Sequence, residues 1–350
     1  MWGLVFLGLL AGVGAGWMAG CEGKTDTSPY PVHKSGFFAY AATDIYWLDN
    51  HRVLFAGRVT GKSEVRVLPP EMPKGQEAAF VWDLEANTIQ RFLTGYRTLC
   101  FAEDRLRISR ERGGERHWFE GWPGEFKALP EVDREMAIGQ PEYRWNDLSC
   151  TVQKRPESME GRAWIPLLPE HGYLDWGPRP KGPADEGYQV RYHRRGGSVE
   201  KLPFSDNNSR LPLYSEFDDT YYFRTGTPTN EWKETGCYRI WRMRPNGKTQ
   251  PECLPFHNVG GAMAPFIEPV KRGLVLESND LRSSTDPGKA GLYLWDGKGY
   301  TRLVTGLTYE EAASPNGCRL AYAYRYNSQE KPTLRVLDLC KEKEGENHGQ

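Results

Sequence analysis

The chain has 350 residues, with 45 Lys plus Arg against 46 Asp plus Glu, a formal charge of −1 and a sequence pI near 6.7. Such near-neutrality gives no general attraction to a phosphate backbone, so nucleic acid is not an expected partner. An aromatic content of 13% argues against a disordered chain and suits β-structure.

In chain order, the first element is an uncharged apolar run, "WGLVFLGLLAGVGAGWMA", over residues 2–19. It is close to the ~20 residues of a spanning helix, but its glycines make it a poor permanent anchor, and the small residues at 19 and 20 look like a cleavage site. Met18-Ala19-Gly20-Cys21 resembles the bacterial lipobox, Leu-Ala/Ser-Gly/Ala-Cys. The resemblance implies a signal peptide over 1–20, removed on maturation, with Cys21 diacylated on its thiol and carrying the mature chain on a membrane as a palmitate-type lipoprotein. A single-pass anchor and a buried apolar helix are the alternatives. Glu22 is not the Asp that retains enteric lipoproteins in the inner membrane, so by the same analogy the periplasmic face of the outer membrane is the expected location. Residues 21–35 read as a polar tether, and 341–350 as a polar tail.

Between them the chain repeats one pattern. An aromatic-rich strand, a polar turn and a second strand recur as "AFVWDLEANTIQRFLTG" (79–95), "RHWFEGWPGEFKALP" (116–130), "YQVRYHRRGGSVEKLP" (188–203), "YRIWRMRPNGKTQPECLP" (238–255) and "LYLWDGKGYTRLVTG" (292–306). A last instance, "LRVLDLC" (334–340), stops before its second strand. Another strand pair precedes most of them, for example "DIYWLDNHRVLFAGR". Four strands per unit is the grammar of a β-propeller blade. "ASPNGCRLAYAYRYNSQEKPTLRVLDL" resembles the TolB-like, or PD40, propeller repeat, Ser-Pro-Asp-Gly-x-x-Leu-Ala followed by a strand ending in Asp-Leu, with Asn316 in place of the Asp. The expectation is an all-β propeller over 36–340, most simply of six four-stranded blades near 43–95, 96–140, 141–204, 209–256, 262–306 and 307–340. "GFFAYA" (36–41) would lend the last blade its missing outer strand, so that the chain's two ends close the ring. A β-sandwich is the structural alternative.

Leaving Cys21 aside, Cys100, Cys150, Cys237, Cys253, Cys318 and Cys340 form an even set in an exported chain, which points to disulfides. A hairpin turning at Asn327–Lys331 sets Tyr324 against Leu334, Leu320 against Asp338, and Cys318 against Cys340. Cys237 and Cys253 flank a second hairpin, but a two-residue Asn246-Gly247 turn puts Cys253 opposite Ile240, so pairing them needs a bulge or a wider loop. Cys100 with Cys150 is what remains.

Chemistry is harder to find. The chain has no GxSxG, HExxH, Walker or GxGxxG motif, its histidines stand singly, and no cofactor is expected. In "SEFDDTYYF", Asp218 and Asp219 are the weak candidates for a channel metal, with an interstrand turn as the simpler reading. The proline-rich stretch 153–187 reads as an insertion in the third blade; Trp164, Leu167, Leu168, Tyr173 and Trp176 in it make either a folded-back lobe or a partner-docking loop. The function expected is a non-enzymatic, lipid-anchored scaffold that binds a protein partner at the cell envelope. The alternatives are a metal-dependent propeller hydrolase or lyase, and a glycan-binding or toxin-neutralising module.

Overall fold

The computed structural model describes residues 28–38, 45–58, 77–96, 98–102, 105–129, 164–168, 170–176, 189–205, 210–225, 238–254, 266–278, 290–327 and 329–341. They form six antiparallel sheets of four strands each. The first holds β2 (Ile45–Trp47), β3 (Arg52–Arg58), β4 (Glu77–Asp83) and β5 (Thr88–Tyr96), and the second β6 (Thr98–Ala102), β7 (Arg105–Arg112), β8 (Glu115–Gly121) and β9 (Lys127–Ala128). The third holds β10 (Trp164–Pro166), β11 (Gly172–Trp176), β12 (Gln189–Arg194) and β13 (Val199–Ser205), and the fourth β14 (Arg210–Ser215), β15 (Thr220–Thr225), β16 (Tyr238–Met243) and β17 (Gln250–Leu254). The fifth holds β18 (Phe266–Val270), β19 (Gly273–Ser278), β20 (Gly291–Trp295) and β21 (Tyr300–Thr305). The sixth holds β22 (Leu307–Ala313), β23 (Arg319–Arg325) and β24 (Thr333–Asp338), with β1 (Val32–Phe38) beyond β24 as its fourth strand. The sheets follow the order of the repeats, with Tyr96, Ser205 and the start of β1 lying outside the expected spans.

Alternation explains how the sheets hold one another. In β23 every residue from Leu320 to Tyr324 is buried, because the strand has a neighbour on each face. Leu320, Tyr322 and Tyr324 join the fifth sheet's Leu292, Leu294 and Leu303, whereas Ala321 and Ala323 face Val53, Phe55 and Phe80 of the first. β24 divides likewise, Leu334 and Val336 to one side and Leu337 to the other. Further apolar clusters join the first sheet to the second, the third to the fourth and the fourth to the fifth. The first strands β2, β14, β18 and β22 approach one another across sheets, which makes them the inner strands.

The repeat's turn shows why its residues stand where they do. Ser314 Oγ accepts from the amide of Arg319, and Asn316 Oδ1 accepts from the amide of Cys318, so Asn316 does the work of the usual Asp. Gly317 has φ +64°, and a Cβ there would stand 2.4 Å from Phe217 Cζ.

Some expectations need correction. β1 begins at Val32, and Ser28 and Tyr30 are buried, so the second half of the expected tether is part of the packed structure. Residues 164–176 are not an insertion: they supply the third sheet's first two strands, and Leu167 and Leu174 lie in its core. The β23–β24 ladder sits one residue from the expected register, with Leu320 opposite Leu337 and Tyr324 opposite Thr333. The Cys318–Cys340 disulfide still forms, at a Cα separation of 5.1 Å. Beyond the last ladder pair, the Leu339 amide donates to the Cys318 carbonyl, which leaves the two cysteines free to meet on the diagonal. Cys253 lies opposite Arg239 rather than Ile240. Residues 1–20, Cys21, Cys150 and Cys237 lie outside the described residues, and Cys100 is placed in β6 without a described side chain. No helix among the described residues is long and apolar enough to cross a membrane.

Candidate functional site

A group of interacting polar side chains lies on the third sheet. Leu174, Val190 and Tyr192 point toward the fourth sheet, so the alternate residues Tyr173, Asp175, Arg191 and His193 share the opposite face. Asp175 is fully buried. Arg191 Nε donates to its Oδ1 at 2.7 Å, and Arg191 Nη2 donates to Oδ2. His193 Nε2 stands 3.1 Å from Oδ1, and the Tyr173 ring stacks on the imidazole with centroids 4.5 Å apart. The hydrogen bond from Arg191 to Asp175 raises the guanidinium's already high pKa. Arg191 therefore engages both carboxylate oxygens, and the stacked Tyr173 and His193 rings share the same face. Sequence reading passed over Asp175, Arg191 and His193; the signal was an Asp between Leu174 and Trp176, two residues from Tyr173.

A second group bridges the third and fourth sheets. The Leu168 amide donates to Tyr221 Oη at 2.9 Å, and the same hydroxyl lies 2.8 Å from His171 Nδ1. Tyr192 Oη donates to the His171 carbonyl at 2.8 Å. Leu168 and Tyr173 are half-buried, and Leu167 is buried; the side chains of Trp164 and Trp176 are not described. Leu167 is thereby withdrawn as a docking residue, because the third sheet's core consumes it.

Asp218 and Asp219 form the turn between β14 and β15. Tyr222 Oη donates to Asp218 at 2.6 Å and Tyr214 Oη to Asp219 at 2.9 Å, and Asp219 takes a left-handed φ of 49°. Burial, then the hydrogen bond to Asp219, pushes the Tyr214 phenol up to about 12. Among the described residues no group of three His, Cys, Asp or Glu is arranged to hold a metal.

The remaining notable group was not foreseen. Glu311 lies on the inner strand β22 beside a register shift in which Glu310 takes φ 53°. Its side chain is buried and meets the buried carboxyl of Glu277 from β19. Burial pushes Glu311 up to about 7, so two carboxyls share a site that holds a proton near neutrality.

No protein-family model matches the chain, and no curated protein matches it. Solved structures similar in fold include a gluconolactonase from Xanthomonas campestris, 13% identical, aligned over 88% of this chain and 89% of its own, with a TM-score of 0.38. The β-propeller domain of the Trilobed protease from Pyrococcus furiosus is 12% identical over 84% of this chain and 77% of its own, at a TM-score of 0.35. Oligogalacturonate lyase from Vibrio parahaemolyticus is 10% identical over 88% and 93%, at a TM-score of 0.40. The matched part of the Trilobed protease is a β-propeller domain; the described residues of this chain are all-β, in small antiparallel sheets.

Proposed function

We propose that the six sheets are the blades of a closed propeller, anchored through acylated Cys21 at the bacterial cell envelope and acting there as a binding scaffold for a protein partner. The observation that carries this reading is the place where the chain leaves the sheets. Ser28 and Tyr30 are buried and β1 is paired with β24, so only residues 22–27 separate Cys21 from the packed structure. That length of chain spans at most about 25 Å. A rigid body held so near its anchor serves partners at the membrane surface rather than ones deep in a compartment. The test is crosslinking in native membranes followed by purification. One recurrent envelope protein, lost when Cys21→Ser releases the chain, supports the scaffold; recovery without any recurrent partner counts against it.

A second reading, chemistry at the ring's centre of the kind named for the gluconolactonase and the oligogalacturonate lyase, is favoured by Glu311. A carboxyl on an inner strand that titrates near neutrality has the pKa of a general acid or base. Lactone hydrolysis or oligogalacturonate cleavage abolished by Glu311→Gln, with the fold intact, would establish it.

A further inference from the structure

We infer that the end of the molecule bearing the β22–β23 turn lies flat against an anionic lipid surface, with Trp122 and Val199 entering the headgroup layer and a basic sector flanking them. The inference deepens the anchored reading above and rests on it for orientation. Tyr30, buried just before β1, packs with Leu339 and lies under the Arg272 guanidinium, 5.3 Å from its ring centroid. Arg272 belongs to the β18–β19 turn, and the Lys271 amide beside it donates to the carbonyl of Gly317 in the β22–β23 turn. Asn50 of the β2–β3 turn accepts from the Asn316 amide of that same turn. The turns that join first to second strands thus gather at one end, and in an antiparallel meander the turns joining third to fourth strands share it. The chain leaves for Cys21 from this end.

What this end displays fits a membrane. Among the described residues the exposed large apolar side chains are Trp122, at 39%, and Val199, at 54%. Trp122 sits in the third-to-fourth turn of the second sheet, and Val199 directly follows that turn in the third. Trp is the residue most at home at an apolar–polar boundary. The corresponding outer turns of the third, fourth and fifth sheets expose Arg195, Arg244, Lys248 and Lys298. Asp296 is the acid in these outer turns, and its Oδ1 accepts from the amides of Lys298 and Gly299. Glu125 is exposed in the turn that carries Trp122, and Glu200 is held by Arg194; the remaining acids of this end lie outside the three basic turns. Asp49 pairs with Arg52, Glu85 with His51, and Asp218 and Asp219 with tyrosines, while Glu170 and Glu216 are exposed on inner turns. A tether spanning at most about 25 Å allows the sector to approach the surface to within a Debye length of about 8 Å. Acyl chains with a basic patch are the two signals that stable anchoring uses.

The test takes the full chain as purified, records the intact mass for acylation, and measures hydrogen exchange with phosphatidylcholine vesicles with and without phosphatidylglycerol. The acylated chain reconstituted in anionic vesicles should gain protection at 122–126, 195–198 and 244–248, and lose it when Arg195, Arg244 and Lys248 are replaced by Glu together. Equal exchange in both vesicle types, or protection at Gly113–Gly114 and 326–332 instead, overturns the docking and leaves the anchor standing. If Cys21 proves free, co-sedimentation of the same chain with anionic vesicles, weakened at least about tenfold by the triple replacement, supports the docking and sinks the anchor. A free Cys21 with no co-sedimentation sinks both.

Discussion

The sixth sheet and the third differ in what they offer their neighbours. The sixth is apolar on both faces, with Leu320, Tyr322 and Leu337 toward the fifth sheet and Ala321, Ala323 and Val336 toward the first. The third is apolar on one face only; its other face carries Tyr173, the buried Asp175, Arg191 and His193. The second sheet answers in kind: Leu106 and Ile108 face the first sheet, while Arg107, Ser109 and Glu120 alternate to the other side, with Arg107 Nε donating to Glu120 at 2.7 Å. Five apolar clusters couple the sheets in the spatial order second, first, sixth, fifth, fourth, third. Among the described residues, the outward faces of the two end sheets are the polar ones. Cohesion in this molecule is therefore non-directional around the chain's closing sheet, and geometrically exacting where the second and third sheets end it.

That contrast is open to mutation. The largest loss is expected at the apolar joint from Phe55→Ala, which removes a ring packed 5.1 Å from Phe37 and 5.6 Å from Phe80; about 3–5 kcal/mol should vanish in denaturant unfolding. At the polar face, Asp175→Ala strands Arg191 and should also cost about 3–5 kcal/mol, whereas Asp175→Leu with Arg191→Met together should restore most of it. Failure of the double replacement to recover stability would mean that the pair does more than fill space. Breaking the Cys318–Cys340 bridge with serine, at a sequence separation of 22, should cost about 2–4 kcal/mol.

Smaller effects sharpen the inner strands. Glu311 holds its proton to about pH 7 when folded, well above the ordinary glutamate range, so its contribution is complete in acid and is lost as the pH rises through about 7. Glu311→Gln should flatten the fall in Tm between pH 5 and pH 8, a gain of roughly 2–4 °C for each kcal/mol relieved. Tyr214→Phe removes the hydrogen bond to Asp219 and should cost only about 0.5–1.5 kcal/mol by thermal unfolding.

The strand pairs around polar turns were legible because each carries its own turn chemistry, such as Asp296 with Gly297 and Gly299 or Asn316 with Gly317. The strand beyond β24 was legible too, four residues later than it begins, because "LRVLDLC" ends without a partner strand. Register was less so: one residue's difference in the β23–β24 connection moved every pair, since both faces of β23 are buried and the burial pattern could not choose between registers. The third sheet misled for a related reason. "WIPLLPEHGYLDW" mixes prolines with an irregular alternation, and Pro166 can occupy β10 because β10 is an edge strand whose hydrogen-bonding partner is β11 alone. Glu277 and Glu311 lie far apart in sequence and meet only through the packing of β19 beside β22, which no local pattern encodes.

The central claim is that the segment just after the proposed anchor is a structural strand of the last sheet. Native-state hydrogen exchange on residues 32–38 tests it most directly. The account predicts protection matching that of 333–338, with both lost together as denaturant is raised. Exchange of 32–38 at the rate of unpaired chain, while 333–338 stays protected, would contradict it.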